Sequence, residues 1–73
     1  MYKEVTLNEI PLELKRAKKI ANHTINIFYK NKSKDKIHKD DLDINMDLSN
    51  IRSIEYFFKH TNGKLHLSLI RVI

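Results

Sequence analysis

Basic and amide side chains recur along residues 15–30 at spacings that would share one face of a helix. On a wheel of about 100° per residue, Lys15, Arg16, Lys18, Lys19, Asn22, His23, Asn26 and Lys30 fall on one arc. Lysines neutralise phosphates, and asparagine reaches sugars or base edges. Lys32, Lys34, Lys36 and Lys39 continue the run. The candidate nucleic-acid contacts are therefore Lys15, Lys18, Lys19, Asn22, Asn26, Lys30, Lys32 and Lys34. Arg16 is the only arginine in this block, so phosphate contact would outweigh bidentate reading of guanine. The same pattern also describes an ordinary solvated helix face in a lysine-rich chain.

The other chemistry-bearing residues converge less. Asp41, Asp43 and Asn45 follow the first spacings of a calcium loop, but Met46 and Arg52 stand where such a loop needs Gly and Glu. His23, His38, His60 and His66 are scattered, and the hairpin pairing described below sets His60 and His66 on opposite faces. No metal site and no cofactor are expected. No nucleophile stands beside a base at readable spacing, and no glycine-rich phosphate loop exists. A toxin-like ribonuclease could use Lys59, His66, Arg71 and Tyr56, but that pairing turns Tyr56 into the core. The chain is expected not to be an enzyme. Phe57, Ile70 and Val72 form a candidate partner surface on the outer face of the last hairpin.

Three kinds of element must position these groups. Ile10, Leu14, Ala17, Ala21, Thr24 and Phe28 recur every three or four residues, which predicts one amphipathic helix over 9–30. Asn8 would cap it and Pro11 suits its first turn, while β-branched Thr24, Ile25 and Ile27 weaken its end. Residues 31–40 read as a solvated loop. Leu42, Ile44, Met46 and Leu48 then alternate with polar residues, as in a half-buried strand with an acidic outer face. Asn62-Gly63 predicts a two-residue hairpin turn. Pairing outward from it gives Phe58–Leu67, Tyr56–Leu69 and Ile54–Arg71. That places Ile54, Tyr56, Phe58, Leu65, Leu67 and Leu69 on one apolar face. A helix over 50–61, capped by Ser49 and closed by Gly63, is the rival reading. Residues 2–7 read as a short strand.

The expected fold is α+β in the order β-α-β-β-β, one long amphipathic helix on a mostly antiparallel sheet, with 1–73 as a single domain. A chain of 73 residues buries a small core. With no cysteine, it has neither disulfides nor Cys-based zinc sites. The first residues lack the apolar core of a signal peptide, and no stretch is apolar enough to span a bilayer. A cytoplasmic location and no membrane partner are expected. The net charge of +5 is uneven. Residues 15–39 hold nine Lys/Arg and one acid, Asp35, whereas residues 40–47 hold four Asp and no base. Ile, Lys and Asn are abundant and have AT-rich codons, which fits an AT-rich mobile element and weakens any argument from net charge. The leading expectation is a small regulatory protein binding nucleic acid through the basic helix. The alternative is a protein-interaction module, a homodimer or a small inhibitor of a larger protein. The ribonuclease stands third.

Overall fold

A computed structural model describes all residues, Met1–Ile73. It is an α+β fold with a single α-helix and a five-stranded mixed sheet. Strand β1 (Tyr2–Val5) leads through a short 3-10 turn into helix α1 (Ile10–Ile20). Four strands follow: β2 (Ala21–Tyr29), β3 (Lys34–His38), β4 (Ile51–Lys59) and β5 (Leu65–Val72). The order across the sheet is β1-β5-β4-β2-β3. β1 runs parallel to β5, and the other neighbours are antiparallel.

The entry to α1 is fixed locally. The Glu9 carboxylate accepts hydrogen bonds from the Thr6 backbone N–H at 3.2 Å and the Thr6 hydroxyl at 3.0 Å. Pro11 lies in the first turn, where no intrahelical donor is needed. Ile10, Leu14 and Ala17 are buried on one face. Beside them Glu13, only 2% exposed, accepts from Lys3 Nζ at 3.1 Å and Arg16 Nη1 at 3.2 Å. The Lys3 contact ties β1 to the helix.

The expected helix over 9–30 stops at Ile20, and the chain turns directly into β2. From Thr24 onward the burial period is two: Ile25 and Ile27 are buried while Thr24, Asn26 and Phe28 are less so, and His23 is exposed at an irregularity between Ala21 and Ile25. Thr24, Ile25 and Ile27 lose side-chain freedom in a helix and pack well on a pleated surface. The residues that fitted a helical stripe fit a central strand better, because β2 pairs on both edges.

Two further expectations change. Residues 31–40, read as loop, contain β3, a charged edge strand of which only Ile37 is half-buried. Such strands show no apolar alternation, and their charges discourage pairing with other chains. Residues 42–48, read as a strand, are instead a loop. The Asp43 carboxylate accepts from the Asn45 N–H at 2.9 Å and that of Asp47 from the Ser49 N–H at 3.0 Å. These local bonds offer the backbone an alternative to a sheet ladder. The apolar residues still pack inward, with Leu42 buried and Ile44, Met46 and Leu48 against the core.

The rival helix over 50–61 is not formed; β4 occupies 51–59. The β4–β5 register differs by one from the expected pairing, with Phe57 opposite Leu67 and Phe58 opposite His66. The connection is a three-residue loop, Thr61-Asn62-Gly63, closed by hydrogen bonds from Gly63 N–H to His60 O and from His60 N–H to Lys64 O, both 2.9 Å. Gly63 takes the left-handed φ of 81° that this loop requires. One residue of register turns β5 over. Ser68 and Ile70 therefore face the helix, and Leu65, Leu67 and Leu69 face away.

The core lies between α1 and one face of the sheet, built from Val5, Ile10, Leu14, Ile25, Ile27, Ile51, Ile54, Tyr56 and Ile70 among others. The opposite face carries no layer. No helix is long and apolar enough to cross a membrane.

Candidate nucleic-acid interface

The uncovered sheet face is arranged in rows that follow from the strand registers. One row runs Glu4, Arg71, Ser53, Phe28, Lys34 from β1 to β3. The next runs Tyr2, Leu69, Glu55, Asn26, Lys36. Leu67 and Phe57 pair beside these, as do Thr24 and His38 on the far strands. Beyond them Lys59 pairs with Leu65.

Three of the six aromatic residues that are Tyr or Phe, Tyr2, Phe28 and Phe57, thus lie on a face without a covering layer. Tyr2 is 56% and Phe57 50% exposed. The Lys34 ammonium stands 5.7 Å from the Phe28 ring centroid, within reach of a cation–π attraction. Phe57, Asn22, Thr24, Asn26 and Lys36 help line a groove of about 290 Å³. A flat ring, two amides and an ammonium around one groove can stack on a nucleobase, hydrogen-bond its edge and hold a phosphate. Lys34, Lys36, Lys59, Arg52 and Arg71 supply cations to this side, against the carboxylates of Glu4 and Glu55.

The helix layer differs. Lys15 and Lys19 are exposed there, with Leu12 60% and Ile20 38% exposed beside them. Lys18 Nζ donates to Leu42 O at 2.9 Å, which holds the acidic 40–47 segment beside α1. That bond joins the helix to the start of the acidic segment through a backbone carbonyl, and no ion pair links a lysine of α1 to an aspartate of 40–47.

The eight expected contacts do not form one surface. Lys15, Lys18 and Lys19 sit on α1, and Lys30 and Lys32 in the β2–β3 turn. Asn26 and Lys34 lie on the uncovered face, where Asn22 reaches the same groove. The expected partner surface divides as well. Phe57 is bare, Ile70 is 2% exposed in the core, and Val72 packs partly against that core. The expected hairpin pairing also put Lys59 on the outer face with Phe57, and that stands, but the sequence did not bring Phe28, Lys36, Arg52 or Arg71 to them. Period two over 24–28 is the signal that would have found Phe28, whereas Arg52 and Arg71 follow from the β4 bulge and the three-residue hairpin loop.

His60 and His66, expected on opposite faces, lie on the same side with ring centroids 5.1 Å apart. His66 also stacks on Phe58 at 5.8 Å. No group of three or more His, Cys, Asp or Glu converges as a metal site. The ribonuclease set is split: Tyr56 is 1% exposed inside the core, His66 is on the helix side, and Lys59 and Arg71 are on the uncovered face.

No protein-family model matches the chain, and no curated protein or solved structure is detectably similar to it.

Proposed function

We propose that this is a non-enzymatic nucleic-acid-binding protein that takes single strands on its uncovered sheet face. The observation that carries this reading is the joint placement of Tyr2, Phe28 and Phe57 with Lys34, Lys36, Lys59, Arg52 and Arg71 on one side. Stacking on aromatic rings is tolerant of sequence, and cations around the rings track the backbone. A duplex hides its base faces, so single strands are the ligand this surface suits.

The test is fluorescence anisotropy with labelled single-stranded and duplex oligonucleotides across a salt series. Single strands bind better, with a log-affinity versus log-salt slope near −3.5 if about five phosphates are neutralised. Phe57→Ala weakens binding by about 1–3 kcal/mol. Absence of binding at ~50 mM salt, where phosphate contacts are strong, overturns the reading.

Self-association is the second reading, favoured by Leu65 and Leu67, which are 52% and 38% exposed beside Phe57. Two copies stacked through this face would cover them. Sedimentation equilibrium separates the readings: a concentration-dependent dimer that excludes oligonucleotide supports the second.

A further inference from the structure

Strand β4 carries one residue too many for its partner β2. Phe28 pairs with Ser53 and Tyr29 with Ile51, which leaves Arg52 as the extra residue of a bulge. Bulges re-aim side chains, and here Arg52 lines a depression of about 280 Å³ together with Ser53, Arg71, Tyr2 and Leu69. Register explains the other members: Arg71 is opposite Ser53, and Tyr2 is opposite Leu69.

The chain has only three arginines, and two of them meet at this depression. Neither is engaged by a carboxylate. The ion pairs of the molecule are Lys3–Glu13, Arg16–Glu13 and His38–Asp40. A guanidinium presents a planar fork that matches phosphate oxygens two at a time, which an ammonium cannot do.

We propose that Arg52, Arg71 and Ser53 form a phosphate-binding pocket, with Tyr2 as the wall for a ring next to that phosphate. The source of the phosphate rests on the single-strand reading above. Ser53 lies four residues from Phe57 along β4, roughly 13 Å at ~3.3 Å per residue. A ligand touching both is longer than a mononucleotide, and a phosphate gripped at one end fixes its position along the face. Glu4 is opposite Arg71 on β1 and works against the anion, so Glu4→Gln tightens binding.

The experiment is an amide and arginine-side-chain NMR titration of the full chain, first with inorganic phosphate and then with a short single-stranded oligonucleotide. Both ligands are expected to shift Ser53, Arg71 and the Arg52 side chain. Arg52→Lys and Arg71→Lys keep the charge but lose the fork. Each is expected to weaken both ligands by about tenfold, while the oligonucleotide still shifts Phe57. Unchanged affinity in both variants overturns the pocket and leaves the single-strand reading standing. Phosphate shifts at the pocket without any oligonucleotide binding overturn the single-strand reading, and the pocket then stands as a site for a smaller phosphate.

Discussion

Phe58 lies directly opposite His66 on the β4–β5 ladder, with ring centroids 5.8 Å apart and planes 29° from parallel. That pairing depends on the connection being three residues long with Gly63 in the left-handed region. A two-residue loop would turn β5 over, bringing Leu65, Leu67 and Leu69 inward and Ser68 and Ile70 out. The uncovered face owes its three leucines to one residue of loop.

Gly63→Val is therefore expected to destabilise by about 1–2 kcal/mol, the cost of a left-handed conformation for a residue with Cβ. Gly63→Asn costs less, because asparagine tolerates that region. Nothing lies within 4 Å of an added Cβ, so the penalty comes from the backbone conformation and not from a clash at Cβ. Urea midpoints at unchanged m-value check both.

The helix-to-strand change at Ala21 is tested by two neighbouring residues. Ile27 faces the core at 0% exposure, and Phe28 faces away from it. Ile27→Ala is expected to cost about 2–5 kcal/mol, and Phe28→Ala about 1 kcal/mol or less. Comparable losses at both sites would restore the helix over 9–30, whose apolar arc contains both.

The parts of the fold legible in the sequence were those whose pattern had one explanation. Ile10, Leu14 and Ala17 mark a helix face, and Ile54, Tyr56 and Phe58 a strand face; both stand. Ala21, Thr24 and Phe28 fit two periods at once, and pairing with β3 and β4 decided between them. Leu42, Ile44, Met46 and Leu48 alternate as a strand would, yet the aspartates between them cap turns instead. The candidate site shifted for the same reason. Asn26 and Lys34 belong to a surface visible only once β2 is a strand, and Lys15 and Lys19 remained on a helix that ends before reaching them.

Glu13 supports a test of buried charge. Its Oε1 serves both Lys3 and Arg16, and its buried Oε2 has no hydrogen-bond partner. Glu13→Gln is expected to cost about 1–3 kcal/mol, since the charge-assisted bonds are lost while both cations can return to water. Lys3→Ala and Arg16→Ala each cost less, because the other cation remains. Together they cost more than their sum, leaving a carboxylate buried and unpaired. A double-mutant cycle by denaturation measures the excess, and strict additivity would refute the shared role.

Tyr29 predicts a stability change at high pH. Burial, followed by the hydrogen bond to Asp35 at 2.8 Å and that carboxylate's charge, pushes its phenol up to about 12. A folded value above the ordinary ~10 means the contribution is fully present below about pH 10 and lost as pH rises through about 12. Asp35→Asn removes the charge and lowers the value, leaving burial to hold it up. Phenolate absorbance should show this titration moving down. Tyr56, raised chiefly by burial, should stay late.

Two triple variants separate the sheet from the helix as the seat of the proposed nucleic-acid binding. Lys34→Ala, Lys36→Ala and Lys59→Ala strip the uncovered face of three cations without touching the core, since all three are exposed. Each phosphate contact contributes about 0.7 to the salt slope on a single strand, so the slope should fall in magnitude by about 2. Affinity should drop alike for all sequences, because phosphate contacts carry no base information. Lys15→Ala, Lys18→Ala and Lys19→Ala remove the same charge from α1, on the opposite side of the sheet from the uncovered face. Lys18→Ala also removes the bond to Leu42 O, so some loss of stability is expected there. Binding measured well below the unfolding midpoint should nevertheless keep the wild-type slope. The opposite pattern, with the helix variant flattening the slope and the sheet variant leaving it intact, would return the site to α1. Dependence on Phe57 distinguishes a stacking face from a purely electrostatic one, since alanine there leaves every charge in place and removes only the ring.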